Sequence, residues 1–504
     1  MHRNDSPRRR YAPLDRRRTG RDLPRSSSVL SVPEARSTTA PPEGSPLATD
    51  LLSQIAPGMG DDDGADPAAA LARRLADRPE VATLAEQLLA LDGPALARAR
   101  RSLQKAKVAP PVAPEVDGDF LDLFRQLPPE LEAARLRTRE FMLREVEPIA
   151  NDYWERAEFP YHLIPRFGEL GLIDVIYPVQ PDGTVKHDSV AEGILAMELA
   201  RVDPSFATFL GVHAGLAFGS ILLCGSQAQQ DEWLPKLRRW EQLGAFALTE
   251  PDVGSGVAGG ITTTCRRQGD EWIISGEKRW IGNSTFGDIV VVWARDVADQ
   301  QVKGFLVPTT SAGYSVSKME GKIAQRILQN GHIVLDRVRV PEAMRLQRAN
   351  GFKDTARVLG MTRVGVAWNA IGCALGAFER SVAYAQKRTQ FGRTLGSFQL
   401  IQAMLAKMVG KLSAMQALAL QVSRLQNEGK ALEQHSALAK QYCAAHCREV
   451  VALARESMGG NGILLDHSVA RFFADAEAIY SYEGSNEINT LIVGRALTGI
   501  GAFV

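Results

Sequence analysis

TTTCRRQGDEWIISGEKRWI, residues 262–281, reads as strand, tight turn, strand. Thr, Ile and Trp favour a pleated, half-buried surface, Gly269-Asp270 supplies the backbone freedom of a hairpin turn, and Ser275-Gly276 marks a second turn. DIVVVWARD (288–296), GFLVP (304–308) and HIVLDRVRVP (332–341) continue the pattern, so residues 246–345 are expected to form an antiparallel β unit. On either side the period changes to that of helices. LPPELEAARLRTREFMLREVEPIANDYWERAEFP (127–160) opens a helical unit over 119–245, interrupted at Pro and Gly. Over 346–504, Ile401, Leu405, Met408, Leu412 and Met415 recur at spacings of four and three, the buried stripe of a bundle helix. The fold class is therefore multi-domain α+β, with the order helices, sheet, helix bundle and no internal repeat.

A chain of 504 residues, 45% hydrophobic and 23% charged, exceeds one ordinary domain. The formal net charge of +1 gives no field that would draw nucleic acid or an anionic membrane, and neither is expected as a partner. Five cysteines without a framework spacing read as free thiols in a reducing compartment. No apolar run reaches the length of a membrane span and the start lacks an apolar signal core, so the expected location is cytoplasmic. Residues 1–118 form a separate extension. Its first fifty residues, rich in Arg, Ser and Pro, cannot bury enough apolar surface to offset chain entropy. Residues 67–108 read as short amphipathic helices before a Pro-rich linker. The Arg/Ser-rich start raises organellar import as an alternative, against which Asp5, Asp15, Asp22 and Glu34 count.

Several stretches could carry chemistry. ALTEPDVGSGVAGG (247–260) combines glycines that allow close backbone approach with the Thr249 and Ser255 hydroxyls; it is equally an interdomain loop. WIGNS (280–284) ends a predicted strand, and Trp280 is either core or a cofactor contact. KRTQFGRTLGSFQ (387–399) puts Arg388 at one helix end and Gln399 at the next helix start; Arg388 can grip a phosphate or simply suit a helix C-terminus. GGNG (459–462) can present amides to a pyrophosphate or stop a helix. Cys443, His446 and Cys447 share a helix face but lack a fourth ligand, so no metal site is expected, and His213 reads as a packed histidine. In YSYEGSNEIN (480–489), Glu483 is either a working base or an acidic residue at a helix entrance, and Ser485 can cap the final helix, which makes Glu487 a first-turn carboxylate.

Taken in order, TEPDVGS, the hairpin into WIGN, RTQFG, GGNG and YEG resemble the acyl-CoA dehydrogenase family of flavoproteins, from about residue 120 to the C-terminus. YWERAEFP, ARVDPSF, RWIGNSTFGD and YSYEGSNEINTLIVGRALTG are most similar to the branch of glutaryl-CoA dehydrogenases and plant short-chain acyl-CoA oxidases. The resemblance implies a helical N-terminal domain, a middle β-barrel-like domain and a C-terminal four-helix bundle, assembled as a homotetramer. It implies FAD, with Phe246, Leu248, Thr249, Ser255, Trp280, Ile281 and Gly282 at the flavin. Arg388, Gln399 and the turn of Glu456, Met458, Gly459 and Gly460 would hold the dinucleotide across a subunit interface, and Ser485 would also touch the cofactor. Ser255, Arg363 and Gly484 would meet the substrate.

The implied reaction is α,β-dehydrogenation of a short- or medium-chain acyl-CoA to a trans-2-enoyl-CoA. Glu483 would take the α-proton and flavin N5 the hydride, with electrons passing to an electron-transfer flavoprotein. Relatives that carry the base on another helix have it in a segment matching GMTRVGVAW (360–368), where this chain has Thr362 and no carboxylate. Ala207 stands where glutaryl-specific members have an arginine, which favours a neutral acyl chain. Gly256 replaces an aspartate usual after Ser255, so that loop is expected to be less rigidly held. Gly282 replaces a common threonine and is expected to leave space beside the flavin for oxygen, so an acyl-CoA oxidase stays open, as does a non-catalytic flavoprotein scaffold.

Overall fold

The computed structural model describes residues 118–502; the extension expected over 1–118 lies outside them but for its last residue. The first unit is helical: α1 (Pro129–Phe141), α2 (Glu147–Arg156), α3 (Ser189–Ala200), α4 (Pro204–Leu210) and α5 (Gln227–Arg238). Helix α4 runs without a break through a π-helical stretch, Gly211–Phe218, into Gly219–Cys224. The starts are capped as their sequences dictate. Asp188 accepts from the amides of Val190 and Ala191, Asp203 from Ser205, and Ser226 and Gln229 form a capping box. In α3 every residue but Val190 is buried, which is why its sequence lacks a polar face.

The middle unit is a curled sheet of β1 (Gly244–Ala247), β2 (Thr264–Gln268), β3 (Glu271–Gly282), β4 (Ile289–Asp296), β5 (Val302–Pro308), β6 (Tyr314–Lys318) and β7 (Asn330–Pro341). The strand order is β1-β4-β2-β3-β7-β6, with β5 also on β4. The quoted hairpin is present, Gln268 opposite Glu271 across Gly269-Asp270. Pairing is antiparallel for β2–β3, β3–β7, β4–β5 and β6–β7, but β4 lies parallel to both β1 and β2. Residue pattern marks strands and not their neighbours: the chain lays down β1 and the β2–β3 hairpin, then inserts β4 between β1 and β2. Ser275-Gly276 is not a turn. It is a bulge inside β3, and a Cβ on Gly276 would come within 2.6 Å of Thr263 Oγ1, so the glycine serves close approach.

The last unit contains α6 (Phe352–Lys387), a short hairpin of β8 (Thr389–Gln390) and β9 (Arg393–Thr394), then α7 (Gln399–Asn427), α8 (Glu433–Ser457), α9 (Val469–Ser481) and α10 (Asn486–Thr498). The expected α7 stripe is buried at Met408, Leu412 and Met415 but only half-buried at Ile401 and Leu405, where the helix start stands clear of the bundle. By length and composition alone, Pro204–Cys224, α6 and α7 could each cross a membrane. Most of the apolar window of the first two is buried within the protein.

Helix α6 is the axle. It crosses α3 at close range because both carry glycine at the contact. A Cβ on Gly372 would lie 2.6 Å from Ala200 Cβ and collide with the Met197 carbonyl, and a Cβ on Gly193 would overlap the Trp368 indole. Polar ties then join the three units. Arg471 pairs with Asp203 in the interior, Trp154 Nε1 donates to Asp475 at 2.9 Å, and Arg326 donates to the Trp154 and Glu155 carbonyls at 2.8 and 2.7 Å. Gly372→Ala gains about 1 kcal/mol of helix propensity but must displace backbone on α3. A net loss of about 1–3 kcal/mol is expected, read as a lower urea midpoint with an unchanged far-ultraviolet spectrum.

Candidate active site

Glu483 sits in the turn between α9 and α10 with φ +54°, followed by Gly484 at +84°. A non-glycine residue in this region is held there by its surroundings. The clamp is Lys440 on α8, fully buried, whose ammonium donates to the carbonyls of Tyr480 at 2.8 Å and Gly484 at 2.9 Å. Asn489 Nδ2 holds the Gly484 carbonyl from the other side at 2.9 Å. Tyr482 is fixed as well: its hydroxyl accepts from Asn369 Nδ2 at 2.8 Å and lies 3.2 Å from Thr208 Oγ1. Ser485 caps α10 through the Ile488 amide. Glu487 is exposed in the first turn, its pKa lowered by its own backbone amide and by the Ser485 hydroxyl, as a helix-start carboxylate requires.

The turn delivers the Glu483 carboxylate to α6, where the Thr362 hydroxyl donates to it. Burial raises its pKa to about 6; the Thr362 hydrogen bond, Arg363 and Lys440 pull it down, while the carboxylate of Glu192 pushes it up. Such a group is mostly ionised at neutral pH yet still binds a proton readily. Arg363 is buried, and its Nε and Nη1 make no hydrogen bond among the described residues; the nearest carboxylate oxygen to Nη1 is Glu433 Oε1, at 3.9 Å. Lys440 and Glu192 were not singled out from the sequence. Lys440 offered a signal, a lone cation within the buried stripe Ala437, Lys440, Cys443, Ala444, Cys447. Glu192 stands likewise among the apolar residues of α3.

A second group gathers on the sheet. Lys278 Nζ donates to the Leu248 carbonyl at 3.0 Å and pairs with Glu250 at 2.9 Å, both side chains buried, and the Arg279 amide donates to the Thr249 carbonyl at 2.8 Å. These bonds lay Phe246, Leu248 and Thr249 beside Trp280, Ile281 and Gly282. Burial pulls the Lys278 pKa down to about 8, while Glu250 drops to about 2 against its own burial because Lys278 and the hydroxyl and amide of Thr262 stabilise its charge. Trp280, at φ +66° next to a bulge, is 55% exposed, an uncovered aromatic face on a rigid strand. Ser255 is exposed in the glycine loop, and a Cβ on Gly254 or Gly256 would meet nothing within 4 Å. A flat face, a close backbone and free hydroxyls fit a flavin ring. A Cβ at Gly282 would stand 3.2 Å from Val212 Cγ2, so a side chain there would require Val212 to give way.

The third group lies at the far end of the bundle. Ser381 and Ser457 share a hydrogen bond of 2.8 Å, and Asn461 Nδ2 donates to the Tyr384 hydroxyl at 2.8 Å, so the ends of α6 and α8 meet. Arg388, Gln399, Glu456, Gly459 and Gly460 are exposed there, while Met458 is buried beneath them. The structure thus brings Glu483 together with Arg363 and Gly484, and Trp280 together with Gly282, but it sets Arg388 apart from both. From Thr362 to Arg388 the helix runs 26 residues, or about 39 Å at about 1.5 Å each.

Models for the acyl-CoA dehydrogenase N-terminal, middle and C-terminal domains match residues 128–241, 245–338 and 349–498. The chain belongs to the acyl-CoA dehydrogenase family. Its members are flavoprotein oxidoreductases acting on CH–CH donors, and they bind FAD. The chain is 32% identical to the mitochondrial short-chain specific acyl-CoA dehydrogenase of Mus musculus, over 74% of this chain and 91% of that one. It is 30% identical to the CarC subunit of a caffeyl-CoA reductase–Etf complex from Acetobacterium woodii, over 72% and 97%. Among solved structures, a Mycobacterium smegmatis glutaryl-CoA dehydrogenase in complex with FADH2 superposes with a TM-score of 0.73 at 33% identity, covering 77% of this chain and 100% of that one.

Other polar side chains are spent on packing. His213 is buried between units, its Nδ1 accepting from the Gly244 amide and its Nε2 meeting the Leu237 carbonyl, both at 3.0 Å; burial lowers its pKa to about 4. Cys443 and Cys447 are buried thiols, and no group of metal-ligating side chains occurs among the described residues. Lys278→Met leaves the Glu250 carboxylate buried without its cation. A loss of about 3–5 kcal/mol is expected, together with weaker flavin retention, measured as a lower unfolding midpoint and as flavin released on gel filtration.

Proposed function

We propose that this family member is an acyl-CoA dehydrogenase for neutral short- or medium-chain thioesters, with Glu483 as the base that removes the α-proton. The observation that carries this reading is the Glu483 carboxylate itself, enclosed on a strained, clamped turn, hydrogen-bonded by Thr362, with a pKa near 6. Its backbone amide donates to no group among the described residues and can polarise the thioester oxygen as charge develops there. FAD would be held against Trp280, Gly282 and the 249–256 loop, where it would supply the hydride acceptor. Two features favour a neutral acyl chain. Ala207 offers a distal carboxylate no partner, and the buried Glu192 would repel one. The electron-transfer flavoprotein is proposed as the acceptor, the relative CarC being itself a subunit of a reductase–Etf complex.

The second element of the proposal is a homo-oligomer, a tetramer by family expectation. About 39 Å of α6 separates the base from Arg388, farther than one dinucleotide reaches from a flavin beside Glu483. Arg388 and Gln399 are therefore read as serving the site of another copy, with the uncovered start of α7 and the 92% exposed Phe391 lying in the same region.

Butyryl- to octanoyl-CoA added without oxygen is expected to bleach the flavin, and in air the bleaching should persist. Rapid reoxidation with peroxide would mark an oxidase instead, and no bleaching by any thioester would remove the enzymatic reading. Glu483→Gln should keep FAD and bind acyl-CoA while losing about 10²–10⁴-fold in kcat. Near-normal turnover in that variant would rule Glu483 out as the base. Activity should fall as pH drops through about 6, where Glu483 gains its proton. Thr362→Val removes a donor to the ionised form, so the acid limb of kcat/KM should move to higher pH, by on the order of one pH unit.

A further inference from the structure

Glu192 lies on α3, buried, with Oε2 held 2.8 Å from His187 Nε2. The His187 ring packs against Tyr177 at 5.2 Å between centroids. The other oxygen faces the base. Above Gly215, the position a Cβ would take is 2.9 Å from Glu192 Oε1 and 3.2 Å from Thr362 Cγ2, so the carboxylate and the threonine are immediate neighbours across that glycine. Gly365, one turn beyond Thr362 on α6, likewise leaves its side open to the Glu192 carboxylate, which lies 3.7–3.9 Å from where its Cβ would stand. Two glycines on two helices, Gly215 and Gly365, thus border Glu192 where it approaches Thr362. On its far side Thr362 donates to Glu483.

We infer that Glu192 is a positioning residue that acts through Glu483: two carboxylates flank Thr362, and the charge of the first opposes ionisation of the second. The inference rests on Glu483 being the base. Every group that faces Glu483 bears on the balance. Thr362 and Arg363 approach from α6 and Lys440 from α8, all favouring the ionised form; Glu192, from α3, is the opposing charge among them. Burial is the largest influence that keeps the proton affinity of Glu483 up; two cations and a hydroxyl donor pull it down, and Glu192 adds to the effect of burial, as suits a base that must hold the proton it takes. Like charges in a partly enclosed site couple strongly because little water screens them. His187 fixes the Glu192 carboxylate by one oxygen and leaves the other toward Thr362.

The test is Glu192→Gln in the FAD-loaded protein, which keeps the size and a polar partner for His187 but removes the charge. The acid limb of kcat/KM should move to lower pH by on the order of one pH unit, opposite to Thr362→Val. Glu192→Asp, which keeps the charge but draws it back by one methylene, should lie between Gln and the native protein. An acid limb that stays put or moves up in Glu192→Gln, with a native unfolding midpoint, overturns the inference. A second readout needs no turnover: infrared titration of the Glu483 carboxyl band, isolated by subtracting the same spectra of Glu483→Gln, should show the same downward displacement in Glu192→Gln. If no thioester bleaches the flavin, the proposed reaction fails while this titration still reads the coupling, and an unmoved band then overturns it alone.

Discussion

Glu483 has to ionise in a place that disfavours charge. Enclosure raises the cost of the carboxylate, and a backbone at φ +54° raises the cost of presenting it, so other parts of the molecule must hold both in place. Lys440 meets the two demands at once. Its ammonium binds two carbonyls of the turn and its charge helps the carboxylate, although burial pulls its own pKa down to about 8. A neutral clamp could hold the turn; only a cation also supports the ion. The helical bundle is then more than packing, because α3, α6 and α8 all bring charged or donor groups to bear on one carboxylate.

Helix α6 sets the other constraint. It is long, buried and pressed close to α3 at Gly372, so it behaves as a rigid spacer. One end meets the base at Thr362 and the other carries Arg388. On the proposed homo-oligomer, each half of the cofactor site would work with a different chain, which would couple assembly to cofactor binding. The same proposal would account for the uneven burial of α7, whose apolar stripe is fully buried only from Met408 onward.

The helix–sheet–helix order was legible because period 2 and period 3.6 are properties of neighbouring residues. Glu483 could be chosen as the candidate because Glu487 reads as a helix-start carboxylate and because the resemblance places the alternative carboxylate at Thr362, where this chain has none. What pattern cannot carry is who faces whom. Ser275-Gly276 has the composition of a turn, and only the proximity of Thr263 shows why a glycine is needed in mid-strand. The parallel placement of β4 depends on two strands that flank it in space and not in sequence. Thr362 and Glu483 are 121 residues apart, and nothing along the chain announces their hydrogen bond. Lys440 was visible as a lone charge in an apolar stripe and Glu192 as one of two glutamates, with Glu198, in a buried helix, but such charges have many structural uses, and their relation to Glu483 is purely tertiary.

The helix from Pro204 to Cys224 shows how these facing relations are set. Thr208 meets Tyr482, Val212 meets Gly282, and Gly215 opens toward Glu192 and Thr362. Spacings of four and three bring all three toward one face even at 3.6 residues per turn, as they do for the buried stripe of α7. Residues 211–218 are nonetheless wound as a π-helix, whose wider turn advances less angle per residue. One wall therefore addresses Tyr482, Gly282 and the Glu192–Thr362 pair, and the π-winding adjusts directions within a face that the spacing already provides.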